Sequence, residues 1–379
     1  MNPAPLGVYV HWPYCARICP YCDFNVVRDR GRASQKAALV RAIVADLKFQ
    51  AREIGARALQ SIFLGGGTPS LMEAEDVEAI IEAARSLWPA ADDLEVTLEA
   101  NPTDAETGRF DDFARAGVNR LSLGLQSLDD GALTLLGRNH DAATGRRAAE
   151  KAASSFPRLS IDMIYALPGQ TAEGWERELQ DVIALGCEHI SPYQLTIEPG
   201  TAFHRAVGRG SLKPADEDLS ADLYEATQNV LLEAGFDAYE VSNHARGHRA
   251  RSRHNLIYWR GQDYVGVGPG AHGRLTMGGK RWATLAPRSI EGYIEAVDQE
   301  RIGAAREALS PREAALERLL MGLRTLEGVD LNELTPLGVN AAKITALEGL
   351  AEMSKGRVVV TPRGRPVLDR IVRELAHGA

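Results

Sequence analysis

About six apolar runs, each followed by a stretch of helical spacing, constrain this chain of 379 residues more than any other feature. The runs at 6–10, 61–64, 94–98, 119–125, 159–165 and 188–195 have the length and composition of strands. Between them, 34–56, 73–88, 104–116, 141–155 and 171–186 place apolar residues at helical intervals. Strands separated by helices pair in parallel through right-handed crossovers, and repetition of the unit curls the sheet towards a barrel with its chemistry at the strand C-termini. No Gly-x-Gly-x-x-Gly opens a helix, which argues against a dinucleotide-binding doubly wound sheet. The predicted fold class is α/β: a partial (β/α)6 TIM-like barrel with a small C-terminal helical, winged-helix-like domain.

The pattern divides the chain into a barrel core, 1–235, a covering segment, 236–300, and a C-terminal helix and hairpin domain, 301–379. Residues 215–234 read as a helix, whereas 236–284 are rich in Gly and aromatics, have no helical period, and are expected to cover the barrel mouth. Gly356 to Pro366 reads as a β-hairpin between helices. Its charges are mixed, so it is expected to be structural or partner-docking rather than DNA-binding. The formal net charge of −8 likewise argues against a nucleic-acid partner, although Arg246 to Arg253 is locally basic. No apolar run approaches the roughly 18 residues of a membrane span, and the N-terminus lacks a secretion signal, so a cytoplasmic protein with no transmembrane segment is expected.

Three of the four cysteines, Cys15, Cys19 and Cys22, lie within HWPYCARICPYCDFN, and Cys187 stands far along the chain as a small residue after an apolar helix. Clustered thiols in a reducing compartment are ligands rather than cross-links. The C-x3-C-x2-C spacing can wrap three corners of an iron–sulfur cubane, whereas a closed cluster takes four cysteines, so one iron stays open. An open coordination position marks a catalytic rather than a structural centre. The alternative is zinc, with His11 or Asp23 as fourth ligand.

Polar groups recur at the strand ends. Gly65-Gly66-Gly67-Thr68-Pro69 follows the second run, where glycines let a backbone edge approach a ligand; a simple chain-reversing turn is the bland reading. Glu99 in LEANP and Gln126 in LGLQS end the third and fourth runs. Asp162 lies inside the fifth, where a carboxylate is costly unless it faces a ligand or pairs with a residue such as Arg120. Arg138, in LLGRNH, adds a cation able to meet a carboxylate.

The cysteine loop after a first strand, with Tyr21 before the last cysteine, resembles the signature of the radical SAM superfamily. That resemblance implies a [4Fe–4S] cluster on Cys15, Cys19 and Cys22, with S-adenosylmethionine (SAM) chelating the fourth iron and being cleaved by one electron. The succession of VYVHWP, the cysteine loop, GGGTP, EANP, LGLQS, GRNH and DMIYALPGQ over residues 6 to 275 is similar to the oxygen-independent coproporphyrinogen III oxidase group. By that likeness Tyr9, Tyr21, Gly66, Gly67, Thr68, Glu99, Gln126, Arg138, Asp162 and Gln194 match SAM-contacting positions. The true oxidases carry a further cysteine where this chain has Phe24. The element His254 to Trp259, HNLIYW, instead resembles the hallmark of the HemW-type heme chaperones. The resemblance implies heme as a further cofactor, heme-requiring apoproteins as recipients, and a radical SAM core that retains the means to cleave SAM. The alternative is the oxidase itself, decarboxylating porphyrinogen propionates. His254, Tyr258 and Trp259 offer an imidazole and flat apolar faces for heme. A buried aromatic strand with a hydrogen-bonded histidine is the bland reading, and His244, His248 and His272 are rival ligands. The recipient and the oligomeric state stay open, a homodimer included.

Overall fold

The computed structural model of the chain describes residues 3–299 and 305–376. Its spine is six strands, β1 (Pro5–Trp12), β2 (Ala58–Gly66), β3 (Ala90–Ala100), β4 (Arg120–Gln126), β5 (Arg158–Tyr165) and β6 (His189–Gln194), paired in that order and all parallel. Alternation gives each strand two faces. Leu6, Val8 and Val10 of β1, Ile62 and Leu64 of β2, and Val96 and Leu98 of β3 pack in the main apolar core. Their neighbours Gly7, Tyr9, Ser61, Phe63, Glu95 and Glu99 point to the other, inner face, which is accordingly polar and aromatic.

The outer layer is built on α1 (Ala33–Ile54), α2 (Ala74–Leu87), α3 (Ala142–Ser155), α4 (Ala172–Ala184) and α5 (Glu217–Glu233). Asp141, Thr171 and Asp216 cap the last three by accepting backbone N–H groups, each offsetting about 1 kcal/mol of unsatisfied donor. In α4, Trp175, Leu179 and Val182 bury one stripe, and the Trp175 indole donates to Thr227 Oγ1 of α5 at 2.7 Å.

Beyond the spine the sheet grows at both ends. β8 (Asn243–Ala245) pairs antiparallel with β6, and β7 (Asp237–Glu240) pairs antiparallel with β8 at the edge. On the other side β9 (Asp263–Val267) pairs parallel with β1, followed by β10 (His272–Met277), β11 (Lys280–Leu285) and β12 (Arg306–Ala308). The order is β12-β11-β10-β9-β1-β2-β3-β4-β5-β6-β8-β7. Among the described residues, edge strands β12 and β7 do not pair with each other, so the twelve-stranded sheet stays open.

The segment 236–284 departs from its predicted role. It supplies edge strands, and its HNLIYW element lies on a short helix, α6 (Arg253–Trp259), against the inner face rather than over the mouth. Gly7 makes room for it: a Cβ there would stand 3.1 Å from Ile257 Cδ1 and 3.4 Å from His254 Cε1. Seven residues are too few to show a helical period, which is why the sequence hid it.

After α7 (Ile290–Asp298), residues 311–376 build a second core around Leu319, Leu334, Val358 and Ile371, with helices α8 (Pro311–Gly322) and α9 (Leu368–Ala376) and a three-stranded sheet. The predicted hairpin exists but is displaced. Its strands are Ala351–Ser354 and Arg357–Val360, and its turn is Lys355-Gly356, both at positive φ as a two-residue hairpin loop requires. Pro362 and Pro366 lack the N–H that a return strand at 361–366 would need. The predicted boundary at 300/301 lies outside the described residues. No helix among the described residues is long and apolar enough to cross a membrane.

Candidate functional site

The C-terminal ends of the parallel strands open on a cavity of about 390 Å³. Cys15, Cys19, Cys22, Tyr21, Gly66, Gly67, Thr68, Glu99, Gln126, Arg138, Asp162 and Gln194 all line it. Tyr9 does not. It sits three residues short of the end of β1, and its phenol turns to His11 Nδ1 at 2.9 Å.

The cysteine loop is knitted to the glycine turn. The Gly67 N–H donates to Trp12 O at 2.7 Å and the Thr68 N–H to Tyr14 O at 2.8 Å. A Cβ on Gly67 would stand 2.7 Å from Tyr14 O, so only glycine permits this approach. The Gly66 N–H, from a residue at φ 103°, donates to Glu99 Oε2 at 3.1 Å. The donors of this turn are therefore committed within the protein, and what it can still offer a ligand is carbonyl oxygen, suited to an ammonium group. Gln126 is a non-glycine residue at φ 69°, backbone strain stored on the wall of the cavity.

The electrostatics favour a cationic or hydroxyl-rich guest. Burial, and Asp162 nearby, push Glu99 up to about 7. Burial also raises Asp162, against hydrogen bonds from side chains that include Ser122 Oγ at 3.0 Å. Arg120, buried in the same interior, lowers both, although among the described contacts Asp162 is held by serines rather than by an ion pair with it. A positively charged group entering the cavity would relieve the pair. Opposite, Arg138 Nη1 lies 3.4 Å from Cys19 Sγ, and Arg138 Nε is buried without a hydrogen-bond partner among the described residues. Burial works against the Arg138 charge, but the Tyr21 phenol and the Cys19 thiol beside it hold it raised.

Three thiols face one cavity, and among the described residues no fourth thiol and no imidazole lines it. Cys187 is 1% exposed behind the end of α4, where burial pushes its thiol up to about 12. His11 has both ring nitrogens engaged, by Tyr9 and by Asn25 O at 2.9 Å, and so is not a free zinc ligand; Asp23 lines the cavity. Among the described residues, no three His, Cys, Asp or Glu side chains converge on a point as ligands of one metal ion. A cubane takes one thiolate on each of three separate irons, so its ligands need no such convergence. The donor set fits a three-thiolate cluster with one open corner.

Asn101 and Ser122 are among the cavity residues that the sequence does not single out. Asn101, in the same LEANP motif as Glu99, donates to Thr68 Oγ1 at 3.1 Å and accepts from Arg138 Nη2, tying the glycine turn to the cation. Ser122 holds Asp162. Both lie two residues from a residue singled out, on the same face of a strand or just past its end, and period two would have found them.

The HNLIYW residues lie elsewhere. His254 is 1% exposed, with Nδ1 2.8 Å from Ser61 Oγ and Nε2 2.6 Å from Tyr258 Oη. Trp259 packs under the Arg324 guanidinium, 4.8 Å from its ring centroid. Of the rival histidines, His244 is buried, while His248 and His272 reach the surface.

Residues 9–182 match the model of the radical SAM superfamily and 309–367 that of the HemN C-terminal domain. The chain is 43% identical over 338 residues to radical S-adenosyl methionine domain-containing protein 1, mitochondrial, of Bos taurus, covering 86% of this chain and 76% of the relative. It is 35% identical over 375 residues to heme chaperone HemW of Mycobacterium tuberculosis, covering 98% and 95%, and 38% identical over 296 residues to heme chaperone HemW of Escherichia coli, covering 77% and 76%. Among solved structures, coproporphyrinogen III oxidase (HemN) from Escherichia coli superposes with a TM-score of 0.80 at 20% identity, over 100% of this chain and 91% of that one, a likeness of fold.

Proposed function

The chain belongs to the radical SAM superfamily, in the branch of the proteins named heme chaperone HemW, and from that premise we propose that it binds heme and passes it to heme-requiring apoproteins, with a [4Fe–4S] cluster and SAM at the strand C-termini. The observation that carries the reading is the cavity in which three thiols face a pair of raised carboxylates with, among the described residues, no fourth thiol or imidazole.

In this reading Cys15, Cys19 and Cys22 hold the cluster. When bound, the cluster supplies one electron and an open iron for the amino and carboxylate groups of SAM. Glu99 and the carbonyls of the glycine turn would accept the N–H groups of that amine. Asp162, Gln126 and Gln194 face the sugar hydroxyls. Tyr21 and Arg138 steady Cys19, and Asn101 holds Arg138 to Thr68.

An imidazole ligates heme iron only through an open lone pair. His254 offers none while it bridges Ser61 and Tyr258. His272, at the start of β10, is an exposed histidine linked to the cysteine loop: the Asn25 amide donates to Pro269 O and Arg288 O, at 2.9 Å each, on the segments flanking it. Phe24, next to Asn25 and 63% exposed, offers an apolar face for the macrocycle. We assign iron ligation to His272 with Phe24 as the platform.

Titrating the reconstituted protein with heme tests this. A Soret band that stays with the protein through gel filtration is expected, and its maximum shifts in His272→Ala. A featureless titration contradicts the chaperone reading, as does formation of protoporphyrinogen from coproporphyrinogen, SAM and a reductant.

A further inference from the structure

We propose that His254 and Tyr258 set the floor of the SAM seat, holding Phe63 beneath Gly65 and Glu99, and that they take no part in ligating heme iron. The proposal deepens the reading of the cavity as a SAM site and rests on it. Its chain of contacts is short. The His254 ring stacks on Phe63 with centroids 5.0 Å apart and planes at 26°. On the far side, a Cβ on Gly65 would stand 2.7 Å from Phe63 Cε1 and 3.1 Å from Glu99 Oε2, so the Phe63 ring occupies the space under the glycine turn and beside the carboxylate. Glu99 Oε2 accepts the Gly66 N–H, which joins the floor to the residues that line the cavity. Tyr9 closes the layer from β1, 6.3 Å from Phe63 and 6.4 Å from His254.

The helix that carries the pair is fixed at both ends. Glu95 accepts the backbone N–H groups of Arg253 and His254, each at 3.0 Å, and is itself paired with Arg158 at 2.7 Å. At the other end the Trp259 carbonyl accepts from Arg318 Nη1 at 2.9 Å. Burial keeps the imidazole neutral, lowering it to about 3, and a single ring proton satisfies both contacts: one nitrogen donates and the other accepts. Exposing His254 to heme would mean breaking the bonds to Ser61 and Tyr258 together with the helix anchors. Leaving it in place keeps Phe63 from sinking into the inner layer and drawing the turn and Glu99 down with it. Both residues act through Phe63 and are positioning residues.

The test uses the full chain with its cluster reconstituted, as wild type, His254→Ala and Tyr258→Phe, and measures SAM affinity by equilibrium dialysis and heme affinity by Soret titration. Failure of the wild type to bind SAM would sink the reading of the cavity itself, before either variant is considered. With the wild type binding, His254→Ala is expected to weaken SAM by about tenfold or more and Tyr258→Phe by a smaller factor, because a displaced floor misplaces the groups above it. Cluster absorbance, the Soret maximum and heme affinity stay at wild-type values in both. SAM affinity within about twofold of wild type in both variants, or loss of heme binding in either, overturns the proposal. Should His254→Ala fail to fold, Tyr258→Phe keeps the ring and decides alone on the same two readouts.

Discussion

Glu99 is the residue on which the chemistry of the cavity turns, and its environment gives a signed prediction. Its carboxyl is raised from 4.5 to about 7 by burial and by Asp162. Between those two values the folded chain keeps a proton that the unfolded chain has released, so stability falls as pH rises through the window. Glu99→Gln removes that loss. The ligand-free variant is expected to be more stable than wild type at pH 8, by up to about 3 kcal/mol, and no more stable at pH 4.5, in urea melts at both values. SAM affinity moves the other way and falls, since a neutral amide is a weaker acceptor than a carboxylate for the amine N–H groups and gives the cationic ligand no counter-charge. Equal melts at pH 8 would show that Glu99 is not desolvated. The carboxylates could be found in the sequence because charge in an apolar strand is conspicuous, whereas Asn101 was passed over because asparagine after a strand usually only turns the chain. For His254 the sequence left two readings open, a heme ligand or a hydrogen-bonded core histidine, because spacing cannot tell that both its nitrogens are already bonded.

At the scale of elements, long periodic segments were legible and short ones were not. The six parallel strands and the long helices follow from runs with a clear period, and α6, with seven residues, does not. Its stability comes from its ends. Ser252 accepts the Asn255 N–H as the helix cap, and Ser252→Ala should cost about 1 kcal/mol. Glu95 is fully buried, accepts two N–H groups of the helix and pairs with Arg158. Glu95→Ala orphans all three donors and is expected to cost about 3–5 kcal/mol, readable as a lower urea midpoint. If both variants melt together with wild type, α6 is not anchored as described. The displaced C-terminal hairpin teaches the same lesson in reverse: GRVVV and the prolines were visible, but the preceding strand, AEMS, has only four residues, too few for its alternation to announce it.

Over the whole molecule, the two cores meet through ion pairs that no local pattern reveals. Arg260 pairs with Glu327 at 2.5 Å, Arg274 with Glu317 at 2.7 Å, and Arg324 with the fully buried Glu240 at 3.1 Å. Removing Arg324 leaves that carboxylate short of its cation. Arg324→Ala is expected to destabilise by about 3 kcal/mol and to speed amide hydrogen exchange across 311–376 while α1 and α2 stay protected. Uniform exchange over both cores would mean that they unfold as one. The sequence located the second core from its helices but not its attachment, because partners 43 to 84 residues apart share no motif.

The reading of the molecule as a radical SAM heme chaperone stands on three thiols leaving one corner of a cluster open, and electron paramagnetic resonance of the reduced, reconstituted protein addresses that corner directly. The spectrum should be that of a [4Fe–4S] cluster, and its g-values should shift when SAM is added. A spectrum that SAM leaves unmoved, or the absence of any iron–sulfur signal, would contradict the open iron and the function built on it.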